Sequence, residues 1–155
     1  AAQTARLVGA QLGDHVPLRV CDAAGDYVPH LPERAELPDE HADFYLGHLA
    51  EVGPQEAREG ARLAREALDR FTGPVTGGGA DRYELVVTHS FLVGWFVRDA
   101  LDAPVWRWLG LNPGNAALTV IRYAPGRVPG VLVLNDVSHL PDELRWTDFP
   151  AALHV

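Results

Sequence analysis

The sequence predicts an α/β fold, and three observations carry that prediction. Helix-period stripes alternate with short apolar runs along the chain. The strongest apolar run, YELVVTH at 83–89, is nearly continuous rather than alternating, as in a strand covered on both faces. Two further strand-like runs, AALTVIRY (116–123) and GVLVLN (130–135), are joined through Pro125 and Gly126, a turn signal.

The elements follow in order. Residues 1–12 place Ala1, Ala5, Val8 and Leu12 on one face, with Gly13 as a stop, which predicts a helix. VPLRVC (16–21) fits a short strand. Residues 22–38 hold three prolines among Asp, Gly and Glu and are read as a surface loop, and 39–50 as a helix. Pro54 suits a first helical position. Ala57, Ala61, Ala64, Leu68 and Phe71 then form a 3.6-period stripe, with Arg62–Glu66 and Glu66–Arg70 as (i, i+4) pairs. Gly77, Gly78 and Gly79 read as a flexible link without the pattern of a phosphate loop. SFLVGWFVRDAL (90–101) is apolar almost all round, a buried helix expected to be capped by Ser90. No internal repeat or domain boundary interrupts the chain, so 1–155 is read as one domain.

Composition narrows the function. A 155-residue chain that is 47% hydrophobic and 22% charged can bury a core. Its net charge of -8, with 13 arginines and no lysine, opposes nucleic-acid binding and attachment to an anionic membrane surface. No apolar run approaches the roughly 20 residues of a spanning helix. The single Cys21 excludes an intrachain disulfide framework and suits a reducing compartment, so a cytoplasmic location is expected; on an apolar strand it reads as core. The chain has no methionine and opens in mid-helix without a cap or a signal-peptide pattern. It is therefore read as a piece of a longer chain.

The best candidate site is the strand-to-helix junction Thr88–His89–Ser90–Phe91. Ligands of open α/β sheets bind beyond the carboxyl ends of strands, where the next helix offers free N–H groups and a positive dipole end. Such a terminus favours an anion by roughly 0.3–1 kcal/mol, or about 2 where partly buried. His89 ends the strand there. A histidine satisfied by a neighbouring carbonyl fits the same pattern.

VVTHSFLVGWFVRDAL (86–101) resembles the second-histidine segment of the histidine phosphatase, or phosphoglycerate mutase-like, superfamily. NAALTVIRYAPGRVPGVLVLNDVSHLP (115–141) resembles that family's following hairpin. AAQTARLVGAQLG (1–13) resembles the stretch after the arginine of its R-A-x-Q-T-A motif. VCDAAGDYVP (20–29) falls where the family has an acidic residue after a short strand. The four segments occur in the family order and cover most of the chain.

The resemblance implies a three-layer α/β/α sandwich, truncated at its N-terminus, without the first strand, first helix and second strand. It implies a phosphoric monoester hydrolase acting through a phosphohistidine, without metal or other cofactor, on a small-molecule phosphomonoester. His89 matches the second catalytic histidine, which helps hold the transferring phosphoryl group. Asp22 matches the acid that protonates the leaving oxygen, with Asp26 its neighbouring competitor and a solvated loop carboxylate the plain alternative. Ser90 matches the small residue whose backbone N–H faces phosphate. Thr88 and Asn115 are supporting neighbours of the phosphate site, although Asn115 equally suits a turn or a strand cap. Tyr27, His30, Phe44 and Tyr45 lie in the family's variable segment over the pocket.

The sequence departs from the family at its nucleophile: no Arg-His-Gly occurs in these 155 residues. The piece alone is therefore expected to be nearly inert, and loss of strands predicts an open sheet edge and a homodimer through it. Other readings carry less. A Ser90–Asp136–His139 acyl hydrolase lacks the flanking glycines of a nucleophile elbow, with Thr88 and Leu92 in their place. A non-catalytic, phosphate-binding relative remains an alternative. His41 and His48, with Asp43 and Glu51 nearby, are spaced too widely for a zinc site. His139 is expected to be structural, and His15 and His154 have no evident partner.

Overall fold

The computed structural model describes residues 1–13, 15–76 and 80–146. The Gly77–Gly79 link and His154 lie outside them. Among the described residues four α-helices form: α1 (Ala2–Leu12), α2 (Asp39–His48), α3 (Pro54–Phe71) and α4 (Ser90–Ala100). Two strands, β1 (Leu118–Arg122) and β2 (Gly130–Asp136), pair antiparallel, with Leu118 opposite Asp136 and Arg122 opposite Gly130. The register is irregular on both sides of Val120. The expected turn closes the hairpin: Arg127 N–H donates to Ala124 C=O at 3.2 Å, and Gly126 takes a φ of 68° that glycine adopts freely.

α3 forms as its stripe requires. Pro54 opens it, and Gly60, Ala64 and Ala67 are buried. Arg62 bridges Glu66 at 3.0 Å and Glu59 at 2.7 Å, while the guanidinium of Arg70 lies 5.5 Å from the Phe71 ring centre instead of pairing with Glu66. α2, α3 and α4, with Trp108 and Leu109 from the turn at Val105–Trp108, bury an apolar core that includes Val28, Leu37, Leu49, Leu92 and Trp95. α1 buries no residue in it, and α4 also touches the β1–β2 ladder.

Two expectations are corrected. Segments 16–21 and 83–89, read as strands, join no ladder among the described residues, so the sheet there has two strands and does not by itself make the three-layer sandwich. A strand is held by a neighbour's backbone groups, and neither segment has one. Both border a groove of ≈ 520 Å³ floored by Ala5, Val8, Gly9 and Leu12 of α1. Their apolar side chains are left in solvent, Val20 at 87% exposure and Tyr83 at 93%. The second correction concerns Ser90, which is the first residue of α4 and not its cap. The cap is His89, whose extended backbone lets its C=O accept the Val93 N–H at 3.1 Å.

Unpaired backbone beside exposed Leu18, Val20 and Leu85 invites pairing with another chain. The 155-residue chain should therefore self-associate at micromolar concentration. Sedimentation showing a monomer with one cooperative unfolding transition would contradict this.

Close packing sets a second expectation. A Cβ added at Gly60 would overlap the Val28 carbonyl oxygen, because α3 rides directly on the 22–29 segment. Alanine is worth about 1 kcal/mol over glycine in a helix, but overpacking costs about 1–3 kcal/mol or more. With an overlap onto backbone the clash wins. Gly60→Ala should lower the urea midpoint; an unchanged or raised midpoint would show that the segment yields freely.

Candidate active site

The extended 83–89 segment delivers His89 to the N-terminus of α4. There the N–H groups of the first helical turn have no partner within the helix. The segment's end is tied to the 22–29 turn: Thr88 Oγ1 donates to the Ala24 carbonyl at 2.9 Å. That turn is itself fastened. Gly25 N–H donates to Asp22 C=O at 2.9 Å, Tyr27 Oη donates to Ala23 C=O at 2.8 Å, and Gly60 admits the Val28 backbone against α3. Burial, the largest influence on Tyr27, pushes its phenol well above the usual range, so it stays a neutral donor. As a result the Asp26 carboxylate Oδ2 stands 3.5 Å from His89 Nδ1.

The opposite wall comes from 112–118 and the end of β2. Asn135 Oδ1 accepts the Gly114 N–H at 2.8 Å, and its own N–H donates to Thr119 Oγ1 at 3.2 Å. Asn135 (φ 53°) and Ala116 (φ 57°) both occupy the left-handed region. Asparagine tolerates that conformation, but for alanine it costs roughly 1–2 kcal/mol. A non-glycine residue held there beside a cleft fits a site whose shape the surrounding fold imposes. Asp136 Oδ1 accepts the Ser138 N–H at 2.9 Å; that bond, then the Ser138 hydroxyl, holds its carboxyl below the usual range.

Between the walls runs a groove of ≈ 1200 Å³ that Thr88, His89, Ser90 and Asn115 all line, together with Asp26, Asp136 and His139. Four of the five site residues proposed from sequence thus meet in one place. Asp22 is not among the lining residues. It opens the short turn Asp22–Ala24 and is exposed, whereas Asp26, four positions on, reaches the groove. The sequence sets Asp136 and His139 beside Ser90 only as arms of the acyl-hydrolase alternative, and His139 otherwise reads as structural; NDVSHL leaves the end of β2 on the groove that 88–90 also line.

Tyr27, His30, Phe44 and Tyr45 are absent from the groove lining. His30 Nε2 pairs with Glu36 Oε2 at 2.9 Å, and Tyr45 packs against Phe44 and Trp106. His41 pairs with Glu40 at 3.4 Å, and the His48 ring sits edge-on to Phe91. Among the described residues no three His, Cys, Asp or Glu side chains cluster as a metal site, and no helix is long and apolar enough to cross a membrane.

The groove pairs a histidine at a helix N-terminus with a carboxylate, an arrangement suited to an anionic group undergoing proton-assisted transfer. Comparison with known proteins points the same way. The family model of the histidine phosphatase superfamily (branch 1) matches residues 1–137. Curated relatives include the "Serine/threonine-protein phosphatase Pgam5, mitochondrial" of Drosophila mojavensis, 28% identical over 112 residues, 72% of this chain and 38% of that protein. Its counterpart from Caenorhabditis elegans is 26% identical over 127 residues, 82% of this chain and 43% of that protein. The counterpart from Drosophila virilis is 25% identical over 142 residues, 91% and 46% respectively. The chain spans less than half the length of these relatives. Their names place them in mitochondria, which overturns the cytoplasmic location expected from a lone cysteine.

Proposed function

The chain belongs to the histidine phosphatase superfamily, and on that footing we propose that it forms the second-histidine part of a phosphomonoesterase working through a phosphohistidine. The observation that carries the proposal is His89 at the mouth of α4, on a groove it shares with Thr88, Ser90 and Asn115.

In this reading the nucleophile is the histidine of an Arg-His-Gly segment outside residues 1–155. It attacks the phosphorus of a bound monoester. The P–O bond to the alcohol breaks as the N–P bond forms, and Asp22 gives its proton to the departing oxygen. His89 and the α4 N–H groups hold charge on the phosphoryl oxygens. Water then attacks the phosphohistidine and releases phosphate. No arginine is among the described residues that line the groove, so in this reading a guanidinium that grips two phosphate oxygens also comes from outside residues 1–155. The apolar groove between 16–21 and 83–87 is where the Arg-His-Gly strand completes the three-layer sandwich. Relatives named as serine/threonine-protein phosphatases extend the substrate class from small phosphomonoesters to phosphoserine and phosphothreonine side chains.

The test compares the 155-residue chain with one extended upstream to include an Arg-His-Gly strand. The extended chain should hydrolyse an aryl phosphate near neutral pH and keep its rate in EDTA. The shorter chain should stay at background. Comparable turnover by both would show that the nucleophile lies within residues 1–155. An inert extended chain that still binds phosphate would favour the non-catalytic relative.

A further inference from the structure

We propose that Asp26 is a positioning residue for His89, acting through the imidazole and not on the substrate's leaving group. The inference rests on the phosphatase reading for its consequence, but on the geometry of the turn for its origin. Asp26 Oδ2 lies 3.5 Å from His89 Nδ1, and both line the same groove. The side chains are open to solvent, His89 at 37% and Asp26 at 68%, and it is the backbone of their two segments that sets them side by side. Thr88, the residue before His89, donates to Ala24, two residues before Asp26, at 2.9 Å. The turn is also closed by Gly25 on Asp22 and docked on α3 at Gly60.

A histidine that holds a phosphoryl group must donate from the nitrogen that faces it. A ring that gives Nδ1–H to Asp26 and Nε2–H to the phosphoryl group carries both protons, so the proposed arrangement is an imidazolium facing a carboxylate. The carboxylate balances that charge and fixes the ring plane, as carboxylates do behind other functional histidines. Catalytic contacts that are long in a free enzyme tighten when the anion binds, so the 3.5 Å approach shortens when phosphate enters. Asp136 and His139 face the same groove from the far wall. Asp136 accepts from Ser138 and is held at its own turn, which leaves Asp26 as the carboxylate assigned to His89.

The experiment uses the extended chain, with orthovanadate as the bound phosphate mimic. In long-range proton–nitrogen spectra, both His89 nitrogens should read as protonated when vanadate is bound. In Asp26→Asn one should lose its proton, because an amide offers no charge to balance the imidazolium. Asp26→Ala should lower kcat about 10–100-fold, the effect of removing a carboxylate behind a functional histidine. In a His89→Ala background the same change should cost nothing more. A loss of equal size in that background, or a His89 spectrum indifferent to Asp26, would overturn the pairing. If the extended chain were inert yet the spectra changed as stated, the phosphatase reading would fall and the pairing would stand.

Discussion

Replacing His89 by alanine in the extended enzyme should lower kcat about 10²–10³-fold, the cost of deleting one donor aimed at developing charge. The loss should be the same on an alkyl phosphate and on nitrophenyl phosphate, because His89 faces the phosphoryl group common to both. Stability should barely change: the side chain is 37% exposed, so its removal leaves no sealed cavity. That combination separates a catalytic histidine from one that only satisfies a carbonyl. A structural histidine would reduce the unfolding midpoint and leave kcat of the folded fraction intact. Less than about a fivefold drop in kcat would remove His89 from the phosphoryl site, since it falls below the effect of any single preorganised donor.

The site was more legible in the sequence than the fold was. VVTHS showed itself because a continuous apolar strand running straight into an apolar helix leaves few places for polar residues, and those few sit at the junction. Pattern alone placed Thr88, His89 and Ser90 on one spot; Asn115 came only from the family resemblance, and it lines the same groove from the far wall. The hairpin strands and their turn were readable and do pair, whereas 16–21 and 83–89 were readable as extended segments but not as members of a sheet. Period and apolarity describe a segment's faces, whereas a ladder needs a partner, and 16–21 and 83–89 have none among the described residues. The helices came through with small end errors, because local pattern marks them: a stripe and a stop for α1, which Gly13 at φ 86° ends, a stripe behind Pro54 for α3, and an apolar run for α4. The misplaced cap at Ser90 has a local cause. A hydroxyl before an apolar run looks like a cap, but the backbone turns helical one residue earlier, after His89. Asp136 and His139 were joined to Ser90 only in the acyl-hydrolase reading, because the hairpin register, which pairs Leu118 with Asp136, is what brings them beside residues 112–118.

Asp22→Asn should behave unlike His89→Ala. An alkyl alcohol leaves poorly as an alkoxide and needs a proton in the transition state; nitrophenolate leaves without one. Loss of the general acid should therefore cost the alkyl phosphate about 10²–10⁴-fold and the nitrophenyl phosphate far less. Asp22 is exposed at the head of a turn that Thr88 ties to the groove, so a carboxylate there can meet the substrate's outer side without crowding the phosphate. Asp26 supplies the internal control four residues away. Acting through His89, its removal should slow both substrates equally. The two aspartates thus divide by leaving-group dependence, one steep and one flat, measured on the same pair of substrates. Should the steep dependence appear in Asp26→Asn and the flat one in Asp22→Asn, the acid role passes to Asp26, the carboxylate that the folded turn places beside His89. Equal losses on both substrates for both variants would mean that the turn supplies no leaving-group proton, and that the acid lies elsewhere on the groove, where Asp136 is the remaining carboxylate among the lining residues.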